Sequence, residues 1–263
     1  MKAAICISGH LGQKAGRAAL SDVARSIQFF FSALQIDTDY FLVLSYDEKT
    51  DADIIDLYEN QWAAVQKKIY QDYNIDVSKK QYKYIRPESH IERTFKMFEK
   101  IYECNRLKKE QEASEGFKYD VVFRIRPDMI FLTDRVQDIR NILTAGLGKN
   151  SVFIPEFPWL ISRFTQVDFF AFGDSNSMDT YSETIHYIDE YCGKGLLFHP
   201  ETLLGYHLYL NQSDISRIIP VCFFSEKMLD MNGFDAPKSK RFTPYKILVI
   251  AKYLYNSYKP LVS

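Results

Sequence analysis

The sequence predicts a single α/β domain with a mostly parallel central sheet flanked by helices. Strand-like and helical segments alternate along the chain, the pattern of a layered α/β fold. The opening reads strand, glycine loop, helix, strand, an order that closes as a right-handed parallel crossover. Near the middle, YDVVFRIRPDMIF (residues 119–131) sets Val121, Val122 and Phe123 ahead of an Arg-Ile-Arg-Pro-Asp cluster and leaves through Met129, Ile130 and Phe131. Short runs rich in β-branched and aromatic residues suit a buried strand.

In chain order, residues 2–8 form the first predicted strand, Gly9-His10-Leu11-Gly12 a loop, 15–34 a helix and 39–45 the second strand. Residues 51–73 have helical spacing, with Ile54, Leu57, Trp62, Val65 and Ile69 on one face. Residues 79–85 suit a short strand and Arg86-Pro87-Glu88 a turn. Residues 91–112 carry the strongest helical stripe, through Ile91, Phe95, Phe98, Ile101, Tyr102 and Leu107, and their Lys108–Glu112 tail reads as a solvated face. After the charged strand come a surface helix over 134–143, a turn over 146–150 and a strand over 151–155. Residues 156–166 read as an aromatic loop over the site, in which Trp159 either stacks on a ligand or plugs the loop onto the domain. A strand over 167–173 leads to a helix over 178–191 capped by Ser175 or Ser177, and Gly193-Lys194-Gly195 ends it. Residues 200–210 form a helix with Glu201 in its first turn, and 217–224 a last strand.

Composition narrows the function. Hydrophobic residues make up 46% of the 263, enough for a sizeable core. A net charge of −1 argues against a general nucleic-acid-binding surface. Cys6, Cys104, Cys192 and Cys222 lie far apart with no C-x-x-C pair, which suits reduced thiols and gives no support to structural zinc. The first residues lack the longer apolar region and cleavage site of a secretory leader, and no apolar run reaches membrane-spanning length. The expectation is a cytoplasmic protein. Residues 1–235 are expected to form the one α/β domain, and the basic, aromatic segment 236–263 to lie peripherally on the inner membrane face, on an assembly partner or on its own domain.

The charged cluster carries the chemistry. On a strand alternate side chains share a face, so Arg124, Arg126 and Asp128 project the same way at the strand's carboxyl end. Buried charges are costly unless paired or used. One reading is an internal Arg–Asp lattice that braces the sheet. The other is a phosphate and metal site, because guanidinium forks match phosphate oxygens and carboxylates suit hard cations. The glycine loop offers backbone N–H groups to a diphosphate. Gly9, Gly12 and Gly16 do not match G-x-G-x-x-G, and there is no P-loop Gly-Lys-Ser/Thr.

YDVVFRIRPDMIF, with AAICISGHLG at the start and VDFFAFGD and HPETLLGYHL later, resembles bacterial polysaccharide and lipopolysaccharide glycosyltransferase-like proteins of the GT-A type. That family typically opens with Ser-Gly-His/Gln-Leu-Arg and carries Arg-x-Arg-x-Asp mid-chain. Two positions depart from it: Gly12 stands where the family has Arg, with Arg17 one turn on as a substitute, and Arg126 replaces the first carboxylate of the metal-binding Asp-x-Asp. The resemblance implies a GT-A-like fold and transfer from a nucleotide-diphosphate sugar to a glycan or lipid-linked acceptor of capsule or lipopolysaccharide. Donor contacts would come from Ser8, Gly9, His10, Arg17, Asp47, Arg124 and Arg126, with Asp128 holding Mn2+ or Mg2+ on the diphosphate. The arginines alone are the alternative means of neutralising it. Glu201 and Asp168 compete as catalytic base, with Glu201 preferred, and Trp159 meets the acceptor. The competing functions are nucleotidyl transfer on the same scaffold and a catalytically silent binding subunit of a polysaccharide assembly.

Overall fold

The computed structural model describes residues 1–12, 17–50, 52–60, 62–86, 89–156 and 165–224. The predictions for Trp159 and for residues 236–263 lie outside them, as does the side chain of Arg17, which opens the first helix.

The chain runs β1 (Lys2–His10), α1 (Arg17–Leu34), β2 (Asp37–Tyr46), α2 (Ala52–Asn60), β3 (Ala64–Gln71), α3 (Ile91–Glu115), β4 (Val121–Ile125) and β5 (Met129–Phe131). A 3-10 turn then leads to α4 (Val136–Ala145), β6 (Ser151–Pro155), β7 (Phe170–Gly173), α5 (Ser175–Ser182), α6 (Ile188–Gly193), α7 (Pro200–Leu210), β8 (Asp214–Ile218) and β9 (Cys222–Phe224). The main sheet has seven strands in the order β3-β2-β1-β4-β7-β6-β8, and β5 pairs with β9 in a small second sheet. β3, β2, β1 and β4 are parallel, β7 is antiparallel to both its neighbours, and β8 runs parallel to β6. This is the expected mostly parallel α/β sheet, with β4 buried at its centre.

Side-chain alternation along β4 separates two layers. Phe123 faces α1, 5.0 Å from the Phe31 ring. It also stacks on Phe172 directly opposite, and Phe172 stacks on Phe153, so one row of rings crosses β4, β7 and β6. Arg124 points to the other side, under α3 and α5, within electrostatic reach of Cys104 and Tyr181.

Several expectations are corrected. The helical pattern over 51–73 covers a helix and a strand, α2 and β3. The step from Leu57 to Trp62 is too long for one stripe, and Trp62 turns back to stack on Tyr58. Residues 79–85 contribute only the bridge of Ile85 to Phe198, with Tyr82 stacked on the Phe198 ring. Residues 119–131 make two strands in two sheets, because Pro127 has no N–H to continue the ladder. The helix over 178–191 is α5, a 3-10 turn and α6, and its cap is Asp174, which accepts from Asn176 N and Ser177 N. Residues 217–224 span the end of β8 and all of β9, parted by Pro220.

The Lys108–Glu112 tail is not a solvated face. Lys108 is 0% exposed, and its ammonium donates to Glu112 Oε2 (3.2 Å), Ser175 Oγ (2.7 Å) and Asp179 Oδ1 (2.7 Å). Glu112 in turn accepts from Tyr119 N at 3.1 Å, just before β4. All three ammonium protons are thus used, and α3 is tied to α5 and to the entrance of the central strand. Lys108→Ala takes the enclosed cation from Glu112 and Asp179, leaves them the more exposed Lys118, and is expected to cost about 1–3 kcal/mol. Lys108→Met refills the volume but leaves the enclosed Glu112 carboxylate without its buried cation, so Lys108→Met/Glu112→Gln should recover more stability than either single change. Urea unfolding of the three variants checks the order.

Candidate active site

β1 leads towards β2 on one side, while β4 lies on its other side, so the chain diverges between β1 and β4. In open α/β sheets such a switch point leaves a crevice at the carboxyl ends of the strands. The end of β1 supplies Gly9 and His10 to it, and the chain beyond β4 supplies Arg126-Pro127-Asp128.

That turn is held from four directions. A Cβ on Gly9 would lie 2.6 Å from Pro127 Cδ, so only glycine lets β1 and the turn approach this closely. Tyr58 Oη, fully buried, donates to Pro127 O at 3.2 Å. Arg126 N donates to Phe169 O at 3.1 Å. The Arg126 guanidinium donates from Nε and Nη2 to the two Asp128 oxygens at 2.9 and 2.7 Å, a bidentate fork.

The two arginines are therefore not equivalent, as a shared strand face would require. Arg126 lies past the end of β4 and is 34% exposed, whereas Arg124 is 3% exposed, with Nε and Nη1 lacking a hydrogen-bond partner. Arg124 is thus enclosed behind the crevice and not on its surface. Asp168, 8% exposed, lies within electrostatic reach of both arginines and of Glu201. Burial pushes its carboxyl up, and Glu201 adds to this, against the pull of Arg126 and Arg124.

Glu201 sits in the first turn of α7, which begins at Pro200 after His199 as N-cap. His199 Nε2 lies 2.7 Å from Glu201 Oε2 and 3.0 Å from Arg86 Nη1, and Nδ1 lies 3.2 Å from Thr202 Oγ1. As an N–H, Nε2 serves Glu201; as a lone pair, it takes Arg86. Burial pushes the Glu201 carboxyl up, but His199 and Arg86 outweigh it and hold the pKa below the usual value. The Glu201 C=O group also shapes the site: Gln166 N donates to Glu201 O at 2.9 Å, which ties α7 to the segment carrying Asp168.

A second cluster flanks the first at the ends of β1, β2 and β3. Asp47 accepts from Lys49 N and caps its own loop, with Oδ2 4.0 Å from His10 Nε2. Asp72, just past β3, binds Lys96 at 2.9 Å and Lys100 at 3.4 Å. Burial lowers the Lys100 pKa, against the pull of Asp72. Burial also lowers the His10 pKa, with Asp72 and Asp47 opposing and the two lysines assisting. Ser8 is fully buried.

Arg124, Arg126, Asp128, Asp168 and Glu201 are thus brought together, with His10 and Asp47 in the adjoining cluster. Sequence reasoning missed Arg86, Asp72, Lys96, Lys100, Tyr58 and Tyr181. Lys96 and Lys100 share a helical face at i, i+4, the one signal open to a reader; nothing local says that this face turns to the sheet's carboxyl edge. His207 belongs elsewhere, with both ring nitrogens engaged by Tyr191 Oη and Thr180 O.

The divalent ion implied by the resemblance does not suit this donor set. Both Asp128 oxygens already accept from Arg126, whose charge would face the ion. Among the described residues no three His, Cys, Asp or Glu side chains are grouped to hold a metal. Among them, too, no helix is long and apolar enough to cross a membrane.

No family model matches the chain, and no curated protein sequence does. Solved structures similar to it include a protein from Bacillus anthracis assigned as a glucose-1-phosphate thymidylyltransferase, in complex with a sucrose (12% identity, TM-score 0.44, 91% of this chain and 98% of that one). Another is a glycosyltransferase involved in glycosylation of the major capsid of PBCV-1 (7% identity, TM-score 0.39, 83% and 82%). At these scores neither likeness carries a functional argument.

Two outcomes test the geometry. Gly9→Ala forces the β1 end and the Pro127 turn apart and should cost about 1–3 kcal/mol, read as a lowered denaturation midpoint. His10, with a native pKa below its ordinary 6.5, takes up a proton more readily when unfolded. Its contribution to stability is therefore lost as pH falls from about 6.5 through the native value. His10→Gln should remove that part of the slope, so the variant gains on wild type between pH 8 and pH 5 in thermal melts.

Proposed function

We propose that the chain is a nucleotide-sugar-dependent glycosyltransferase, moving a sugar from a nucleoside-diphosphate donor to a glycan or lipid-linked acceptor of a surface polysaccharide. The observation that carries this reading is the guanidinium-bearing turn at the switch point between β1 and β4, facing the carboxylate of Glu201 across the segment that carries Asp168.

Transfer from such a donor requires the departing diphosphate to be neutralised and the acceptor hydroxyl to lose its proton. Arg126 is the exposed cation at the turn, and Arg124 adds positive potential from inside the sheet. Glu201 is assigned as the base: it is 28% exposed and held ionised, whereas Asp168 is nearly enclosed and drawn towards its neutral form. Asp168 then shapes the potential around the arginines. His199 and Arg86 orient the Glu201 carboxylate. Trp159 and residues 236–263, outside the described residues, would serve the acceptor and the membrane surface.

Mass spectrometry of glycan acceptors incubated with a donor library tests the proposal, and an acceptor gaining one sugar mass supports it. Glu201→Gln should then lower kcat about 10²–10⁴-fold while nucleotide affinity stays within about threefold. A folded Glu201→Gln variant with the wild-type rate would remove Glu201 from the chemistry. Nucleotide binding with no transfer across the library would fit the silent binding subunit instead.

A further inference from the structure

We infer that donor binding is independent of a divalent ion, because the Arg126 guanidinium, oriented by Asp128, stands where the ion would and meets the diphosphate itself. The inference rests on the nucleoside-diphosphate reading above and specifies how that ligand is held.

Three features carry it. The first is the Arg126–Asp128 fork, which engages both carboxylate oxygens. A divalent ion usually keeps one or two carboxylates together with phosphate oxygens. Here the one carboxylate at the turn is already bound to a cation, and an ion on Asp128 would have to displace Arg126 and then sit beside it.

The second is the rigidity of the turn. Gly9 packs against Pro127, Tyr58 Oη holds Pro127 O, and Phe169 O holds Arg126 N. A guanidinium fixed in this way is pre-organised for phosphate oxygens, because the ordering cost of a long side chain has been met before the ligand arrives.

The third is the surrounding charge. Among the described residues, the two other carboxylates beside the turn are engaged: Asp168 is enclosed, and Glu201 lies against His199. Arg124 sits behind the turn with Nε and Nη1 unpartnered, and Arg86 lies at the far side beside His199. Three guanidinium groups thus face the charged carboxylates of Asp128 and Glu201 and the enclosed Asp168, which burial shifts towards neutrality. Asp128 is then a positioning residue: it orients Arg126 and does not touch the donor.

Calorimetric titration of the full chain with UDP, GDP, CDP, ADP and dTDP, each in EDTA and in Mn2+, tests this. For the nucleotide that binds, the affinities in the two conditions should agree within about threefold. Arg126→Lys, which keeps the charge but loses the fork, should weaken binding about tenfold or more in both. Asp128→Asn should weaken it by a similar factor in EDTA and in Mn2+, since it disturbs only the orientation of Arg126. Melting curves on the same samples show that each variant is folded; if one is not, the wild-type comparison still decides. Binding that is tenfold or more tighter in Mn2+, with Asp128→Asn abolishing only that gain, overturns the inference while leaving the transferase reading intact. Failure of every nucleotide to bind in either condition refutes the transferase reading and this inference with it.

Discussion

The structure depends on one topological constraint: β1 has β2 on one side and β4 on the other, and the chain must cross back over the sheet to reach the second. α3 makes that crossing. Its far end has to land so that Tyr119 can turn into β4 in register with β1, and the buried Lys108–Glu112–Asp179 cluster fixes this landing. The bond of Asp120 N to Lys2 O continues the same junction onto β1. If the landing shifted by one residue, Arg124 would exchange faces with Phe123, placing a guanidinium among the rings of α1 and a ring under α5.

Lys108 and Arg124 are both cations enclosed in the layer of α3 and α5, and they are treated in opposite ways. Every proton of the Lys108 ammonium has an acceptor, so its burial is compensated locally and binds elements together. Two guanidinium nitrogens of Arg124 have none, and the nearby hydroxyl of Tyr181 is equally bare. Leaving such groups unpaired costs free energy that no fold needs to spend for stability alone. The first arrangement is that of a structural clamp. The second leaves a cation uncompensated among the described residues, close beneath the turn that carries Arg126.

Much of this architecture was legible because it depends on local pattern. Residues 151–155 and 200–210 read correctly since Pro155 and Pro200 punctuate them, and α3 since its apolar stripe is long. Over 51–73 the pattern misled, because the edge strand β3 alternates weakly and Ile54, Leu57, Val65 and Ile69 fit a helical period by chance of spacing. Arg124, Arg126 and Asp128 were read as a site, but period two says nothing about where a strand ends, and the split at Pro127 gives the two arginines different environments. The pairing of Arg86 with His199 joins residues more than a hundred positions apart and leaves no local trace. The same holds for Lys108: a KKEQE tail looks solvated in any sequence, and only the packing of α5 against it makes it core.

The register of β1 with β4 has a consequence for biosynthesis. Ala3–Ile7 pair with Val121–Ile125, so this buried run of β1 waits for partners encoded 118 residues later. At ribosomal speeds of roughly 5–20 residues per second, one flank of β1 stays open for on the order of ten seconds. During that interval β1, α1 and β2 can assemble alone, since their contacts are nearer in sequence, while the vacant flank presents a row of unpaired amides to any neighbouring chain. The nascent polypeptide is therefore most exposed to mispairing in the window between the emergence of β2 and that of β4, where a chaperone holding β1 would have its greatest effect.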